Sequence, residues 1–175
     1  RLGGPPGTYV GHRLTHDPAL LRAAERQSQP RDLSPHREKK LLLLPGSRRS
    51  EVSSLIKPFG DAVAGLRARG HRLRVVLPTV PHVAEIVSTA TADWDLKPEI
   101  TVSPEQKWKA FGEADAAIIA SGTVSLELAL VGVPMQACYR LDPITKLAVG
   151  MLTVWSALLP NLIADRPVVP EVYNE

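Results

Sequence analysis

From residue 41 onward, short wholly apolar runs alternate with longer stretches whose apolar residues recur every three or four positions. Leu41-Leu42-Leu43-Leu44 is the first run, with charge before it and Pro45-Gly46 after it. A strand buried on both faces of a parallel sheet has this continuous apolar character. Ser50 to Arg69 follows with Val52, Leu55, Ile56, Phe59, Val63 and Leu66 at helical steps; Gly70 ends it, and Pro58 is a candidate kink. Leu73 to Leu77 predicts a second strand, Pro81 to about Thr89 a helix, and Ile100 to Val102 a short strand. Ser103-Pro104-Glu105-Gln106 combines a cap, a proline at the first helical position and a Gln three residues on, opening a helix to about Glu113. Ala116 to Ala120 predicts a strand, Gly122 to Val131 a helix stopped by Gly132 and Pro134, and Met135 to Tyr139 a strand. Pro143 to Leu159 predicts a long apolar helix ending near Pro160. Strand and helix alternate throughout, which predicts an α/β fold: a doubly wound parallel sheet with helices on both faces.

The first forty residues differ. They are polar and rich in Pro and Gly, with Asp17-Pro18 opening a short helix to about Gln27 and a second polar linker from Gln29 to Lys40. Residues 1–40 are therefore expected to be a lead-in segment and linker, and 41–175 the domain proper. The 175 residues suffice for one domain with a core. The chain opens on Arg1 rather than Met, and so reads as part of a longer sequence.

Composition narrows the function classes. Hydrophobic residues at 44% and charged residues at 22% exclude wholesale disorder. A lone cysteine, Cys138, excludes a disulfide scaffold and a cysteine-based zinc cluster, and its strand position marks it as core. The five histidines have no metal-ligand spacing, and there is no Gly-x-Ser-x-Gly elbow, so no metal is expected. The net charge of +3 is uneven: residues 1–50 hold ten Lys/Arg against four Asp/Glu, and residues 101–175 hold five against eight. A basic end attracts phosphates or an anionic membrane, or is a solvated face. Aromatics at 5% argue against a stacking platform for nucleic acid. From Leu147 to Ala164 there are 18 residues without charge, but Pro160, Asn161, Thr153 and Ser156 make this a buried or interfacial helix rather than a membrane span.

In such folds ligands bind beyond the carboxyl ends of the strands. Two loops there carry chemistry. Pro45-Gly46-Ser47-Arg48-Arg49-Ser50 offers a glycine for close backbone approach, N–H donors, a helix N-terminus and an arginine fork suited to phosphate oxygens. An ordinary turn with solvated arginines is the alternative. Ala120-Ser121-Gly122-Thr123-Val124-Ser125-Leu126-Glu127 repeats the arrangement. Glu127 is placed to accept both hydroxyls of a ribose, or merely offsets the helix dipole. Neither loop is a Walker A loop or a Gly-x-Gly-x-x-Gly fingerprint, so a nicotinamide cofactor is not expected.

Taken together, these motifs resemble the lipid-A-disaccharide synthase family. The blocks are Leu43 to Glu51; Ala120 to Glu127 with Gly132-Val133-Pro134-Met135; Leu159-Pro160-Asn161-Leu162-Ile163-Ala164 with Val168-Val169-Pro170-Glu171; and Tyr9-Val10-Gly11-His12. They occur in the family's order, and the match is thinnest from His82 to Glu99. Arg13 stands where the family often has Pro, and the helix after Asp142-Pro143 carries only Lys146 where the family has several basic residues.

The resemblance implies an inverting glycosyltransferase of the two-Rossmann-domain type. Such an enzyme joins UDP-2,3-diacylglucosamine to 2,3-diacylglucosamine 1-phosphate, giving lipid A disaccharide 1-phosphate and UDP. It implies work at the cytoplasmic face of the inner membrane, peripheral to it, with no cofactor. This chain would be the UDP-sugar-binding part, with the acceptor domain and its general base lying outside it and the fragment inactive alone. Gly46, Ser47, Arg48, Ser121, Gly122 and Thr123 are then expected at the donor diphosphate, and Glu127 at the ribose. Tyr139 and Arg140 would border the uracil or diphosphate, and Asn161 the donor site or a domain interface. The long apolar helix would face core, acyl chains or membrane. A non-catalytic nucleotide-sensing or protein-binding module, and another UDP-sugar enzyme such as an epimerase, stay open as alternatives.

Overall fold

The computed structural model describes residues 12–32, 34, 36–120, 122–139 and 155–173. After a 3₁₀ turn at Arg13–His16, the chain forms helix α1 (Pro18–Ser28), strand β1 (Lys39–Leu44), α2 (Arg49–Ala68), β2 (Leu73–Pro78), α3 (Pro81–Thr91) and β3 (Glu99–Thr101). It continues with α4 (Pro104–Glu113), β4 (Ala116–Ile119), α5 (Val124–Val131), β5 (Met135–Tyr139), a short α6 (Leu159–Ala164) and β6 (Glu171–Tyr173). The six strands form one sheet in the order β3-β2-β1-β4-β5-β6, with every pairing parallel. The expected doubly wound α/β sheet is thus what the chain forms.

The four leucines show why the core has two halves. Side chains alternate across a strand. Leu42 and Leu44 therefore pack with Leu20, Ala23, Phe111, Ile119, Leu128 and Ala137, beneath α1, α4 and α5. Leu41 and Leu43 pack with Val52, Phe59, Val63, Val75, Leu77, Val83 and Val87, beneath α2 and α3. Leu42, Leu43 and Leu77 are fully buried. Each such side chain contributes about 1.5–3 kcal/mol, which a polar residue at any of these positions would forfeit.

Local signals set the helix boundaries. The Asp17 carboxylate accepts the Ala19 and Leu20 N–H groups ahead of α1, and Ser103 Oγ accepts the Gln106 N–H at the start of α4. Within the 1–40 segment, α1 packs into the domain, with Leu20 and Ala23 buried. Gln27 donates to the carbonyls of Phe111 and Ala114 at the end of α4. The chain runs through Pro58 inside α2 without interruption.

Two expectations need correction or restriction. The long helix over 143–159 falls mostly outside the described residues. Where it is described, at 155–158, the backbone is not helical, and Pro160 lies in the first turn of α6 rather than at a helix end. A proline in a first helical turn loses no intrahelical bond, so the residue that suggested a stop marks a start. β6 was not expected; it follows Pro170 and pairs with the sheet edge through backbone groups.

Candidate functional site

The strand order reverses between β1 and β4, so the loops after these neighbouring strands diverge and leave a crevice beyond their carboxyl ends. A cavity of about 450 Å³ lies there. Leu44, Gly46, Ser47, Arg48 and Glu51 line it from the β1 loop and α2, and Gly122, Thr123, Val124 and Glu127 from the β4 loop and α5. Pro78 at the end of β2, Thr79 and Val80 just after it, and Lys107 on α4 complete the wall. The two loops singled out by sequence therefore face one space.

Loop 45–48 is held by side chains from two elements. Gly46 has φ +109°, a left-handed conformation that glycine alone adopts cheaply. The N–H groups of Ser47 and Arg48 donate to Glu51 Oε2, at 3.1 and 3.2 Å. Arg48 Nη1 donates to Glu51 Oε1 at 2.6 Å. His82 Nε2 lies 2.8 Å from the Ser47 carbonyl, where a protonated ring nitrogen donates. The Arg48 side chain is 80% exposed, so its guanidinium is accessible to a ligand.

On the opposite wall, Ser125 Oγ donates to the Gly122 carbonyl at 2.7 Å and fixes the turn before α5. Glu127 does not stand alone: Lys107 Nζ is 3.0 Å from each of its carboxylate oxygens. The same ammonium lies 4.4 Å from the centre of the Trp108 ring, which itself meets Phe111 edge to face. Thr79 Oγ1 is buried and lacks a hydrogen-bond partner among the described residues. A cavity with donors on both walls, a solvent-exposed arginine fork and a carboxylate fixed by an ammonium can seat an anion beside a hydroxylated group.

The remaining expected site residues fare differently. Ser121 and Arg140 lie outside the described residues. Tyr139 closes β5 and packs against the core on the α1, α4 and α5 side; it is not part of the cavity wall. Asn161 is 1% exposed. It donates to the Val169 carbonyl and to Glu171 Oε1, and accepts the N–H groups of Val168 and Val169. Its amide thus clamps the segment leading to β6 rather than facing the cavity. His12 caps the 3₁₀ turn by accepting the Leu14 N–H. Cys138 packs on the α2 and α3 side, where burial raises its thiol pKa. Among the described residues, no group of three or more His, Cys, Asp or Glu is placed to hold a metal, and no helix is long and apolar enough to cross a membrane.

Lys107, His82 and Glu51 are cavity or loop-holding residues to which the sequence reading gave no role. Glu51 carried a signal, being three residues beyond the helix cap. Lys107 and His82 carried none.

The cavity's lining and the fold acquire a context from known proteins. The backbone resembles the crystal structure of Acinetobacter baumannii MurG, with a TM-score of 0.51 over 97% of this chain and 44% of that one, at 19% identity. That likeness concerns the fold. The lipid-A-disaccharide synthase of Nitrobacter winogradskyi is 42% identical over the whole chain. Its Nitrobacter hamburgensis counterpart is 43% identical, again over the whole chain. That of Rhodospirillum centenum is 39% identical over 98% of it. The chain spans about 44% of the length of the Nitrobacter relatives. The model of the lipid-A-disaccharide synthetase family matches residues 4–175, and with 42% identity along its whole length the chain belongs to that family.

Proposed function

We propose that this chain supplies the donor-binding half of a glycosyltransferase that makes lipid A disaccharide 1-phosphate from UDP-2,3-diacylglucosamine and 2,3-diacylglucosamine 1-phosphate. The single observation that carries the reading is the cavity at the β1/β4 reversal, walled by the two loops that bear the family's sequence blocks. The diphosphate of the donor lies between loop 46–48 and the start of α5, and the ribose hydroxyls meet Glu127.

Departure of UDP builds negative charge on the diphosphate. Stabilisation comes from groups already fixed before reaction: backbone N–H groups, the N-termini of α2 and α5, and the Arg48 fork. The sugar's anomeric carbon then points away from this half. The general base that takes the acceptor's proton belongs to the other half of the enzyme. The acceptor is a lipid, and the reaction takes place at the cytoplasmic face of the inner membrane. Trp155, Leu159, Leu162 and Ile163, exposed around α6, offer apolar contact of the kind such a setting requires.

Calorimetric titration of the 175-residue chain with UDP, up to millimolar concentration, tests the reading. Saturable UDP binding without NAD binding is expected. A folded chain that binds NAD, or neither nucleotide, overturns it. The chain alone is expected to show negligible transferase activity, and turnover near that of a full-length enzyme would refute the division of labour.

A further inference from the structure

Glu51 brings a negative charge into the seat that the donor reading gives to a phosphate. Its Oε2 takes the Ser47 and Arg48 amides, and its Oε1 takes the Arg48 guanidinium. These are donors a phosphate oxygen would use, arranged as a small concave anion seat. The backbone is shaped around the carboxylate: a Cβ on Gly46 would lie 2.4 Å from Oε2. A capping box accounts for the bond to the Arg48 amide. It does not account for the Ser47 amide or the guanidinium.

Charge balance points the same way. The charged groups on the described cavity wall are Arg48, Glu51, Lys107 and Glu127, and each cation is paired with a carboxylate. An anionic ligand therefore meets a neutralised seat unless one carboxylate withdraws. Glu51 is free to do so, since its side chain is 29% exposed and its arginine partner 80% exposed.

We propose that Glu51 is a resident stand-in for phosphate. Its carboxylate fills the seat of loop 46–48 and holds Arg48 while the cavity is empty. A phosphate-bearing ligand displaces it from both amides and takes over the guanidinium. This rests on the donor-binding reading of the same cavity. Displacement makes Glu51 a brake on UDP affinity, released when the nucleotide enters.

The test compares the unmodified chain with Glu51→Gln, titrated calorimetrically with UDP and with uridine. Removing the competing charge is expected to tighten UDP about threefold or more, with uridine affinity unchanged. Unchanged or weaker UDP binding by a folded Glu51→Gln chain overturns the proposal. A crystal structure of the unmodified chain with UDP gives a second readout independent of how the variant folds. There, Oε2 is expected beyond hydrogen-bonding distance of both amides, with a phosphate oxygen in its place. A carboxylate still bonded to both amides, with UDP bound, overturns the proposal. Failure of the unmodified chain to bind UDP overturns the donor reading and this inference with it, whereas UDP binding without a gain in Glu51→Gln overturns this inference alone.

Discussion

Glu127 holds both oxygens toward Lys107 Nζ, so a ribose diol must share or take over a carboxylate that is already oriented. Two hydrogen bonds to a charged acceptor are worth about 1.5–3 kcal/mol each at most. Glu127→Ala is therefore expected to weaken UDP by about 10- to 100-fold. Pyrophosphate, which has no diol, should bind as well or slightly better, because Lys107 is left without its counter-charge. Equal weakening of both ligands would argue against a ribose contact. For Arg48→Ala in a full-length enzyme, loss of one charged donor to the departing diphosphate predicts a fall in turnover of about 10²-fold. Steady-state assay of the variant checks this, and unchanged kinetics would remove the role. At this scale, the parts of the site legible in the sequence were those on the two loops, because small residues between an apolar run and a helix start are a local pattern. Lys107 and His82 were not, because only the packing of α4 and α3 beside the crevice brings them there. Asn161 shows a structural role that the sequence did not: a lone amide in an apolar stretch suggests a site, and its bonds tie the short helix to Val169, eight positions on.

Among the elements, α2 offers two glycines with opposite expectations. At Gly65 a Cβ would meet nothing within 4 Å. Gly65→Ala should then stabilise the chain by about 0.5–1 kcal/mol through helix propensity. At Gly60 a Cβ would lie 2.7 Å from the Trp94 indole. That ring is packed among the residues beneath α2 and α3, so the overpacking cost of about 1–3 kcal/mol exceeds the propensity gain. Thermal unfolding should show Gly60→Ala below the unmodified chain and Gly65→Ala above it. Elements with their own boundary signals were legible in the sequence: the buried strands through their apolar runs, α1 and α4 through their caps. β6 was not. It is three residues long, begins with a charge after a proline, and exists because β5 presents an unpaired edge. The helix expected to end at Pro160 shows the limit of proline as punctuation, since the same residue terminates a helix or opens one.

Across the whole molecule, Asp115 ties the polar segment after α1 to the sheet. It lies just before β4 and accepts from the Lys40 N–H at 2.8 Å and from Arg37 through both oxygens. Arg31 Nη1 is 3.3 Å away and also donates to the Ala114 carbonyl, and Arg31 Nη2 donates to that of Gly112. Arg31, Arg37 and Lys40 are thus docked against the end of α4 and the start of the β4 segment, which the run of Pro, Ser and charge in the sequence did not reveal. Burial alone would raise the Asp115 carboxyl pKa, but the Arg37 and Lys40 hydrogen bonds and the two guanidiniums outweigh it and hold the pKa below the usual range. Glu113 is lowered in the same way: the Lys40 ammonium outweighs its burial. A carboxylate with a depressed folded-state pKa stabilises the fold at pH values above its unfolded pKa, about 3.9 for Asp, and that stabilisation fades as pH falls through the folded value. Asp115→Asn is therefore expected to cost about 2 kcal/mol at pH 7, within the range for a hydrogen bond to a charged group and below that for a fully buried broken pair. For a domain of this size that corresponds to roughly 4–8 °C in Tm. The gap between variant and unmodified chain should stay constant from pH 7 to about pH 5 and narrow below about pH 4, as the unmodified carboxylate takes up its proton. Melting curves across that range check the sign. A gap that widens toward acid would mean that Asp115 acts through something other than its charge.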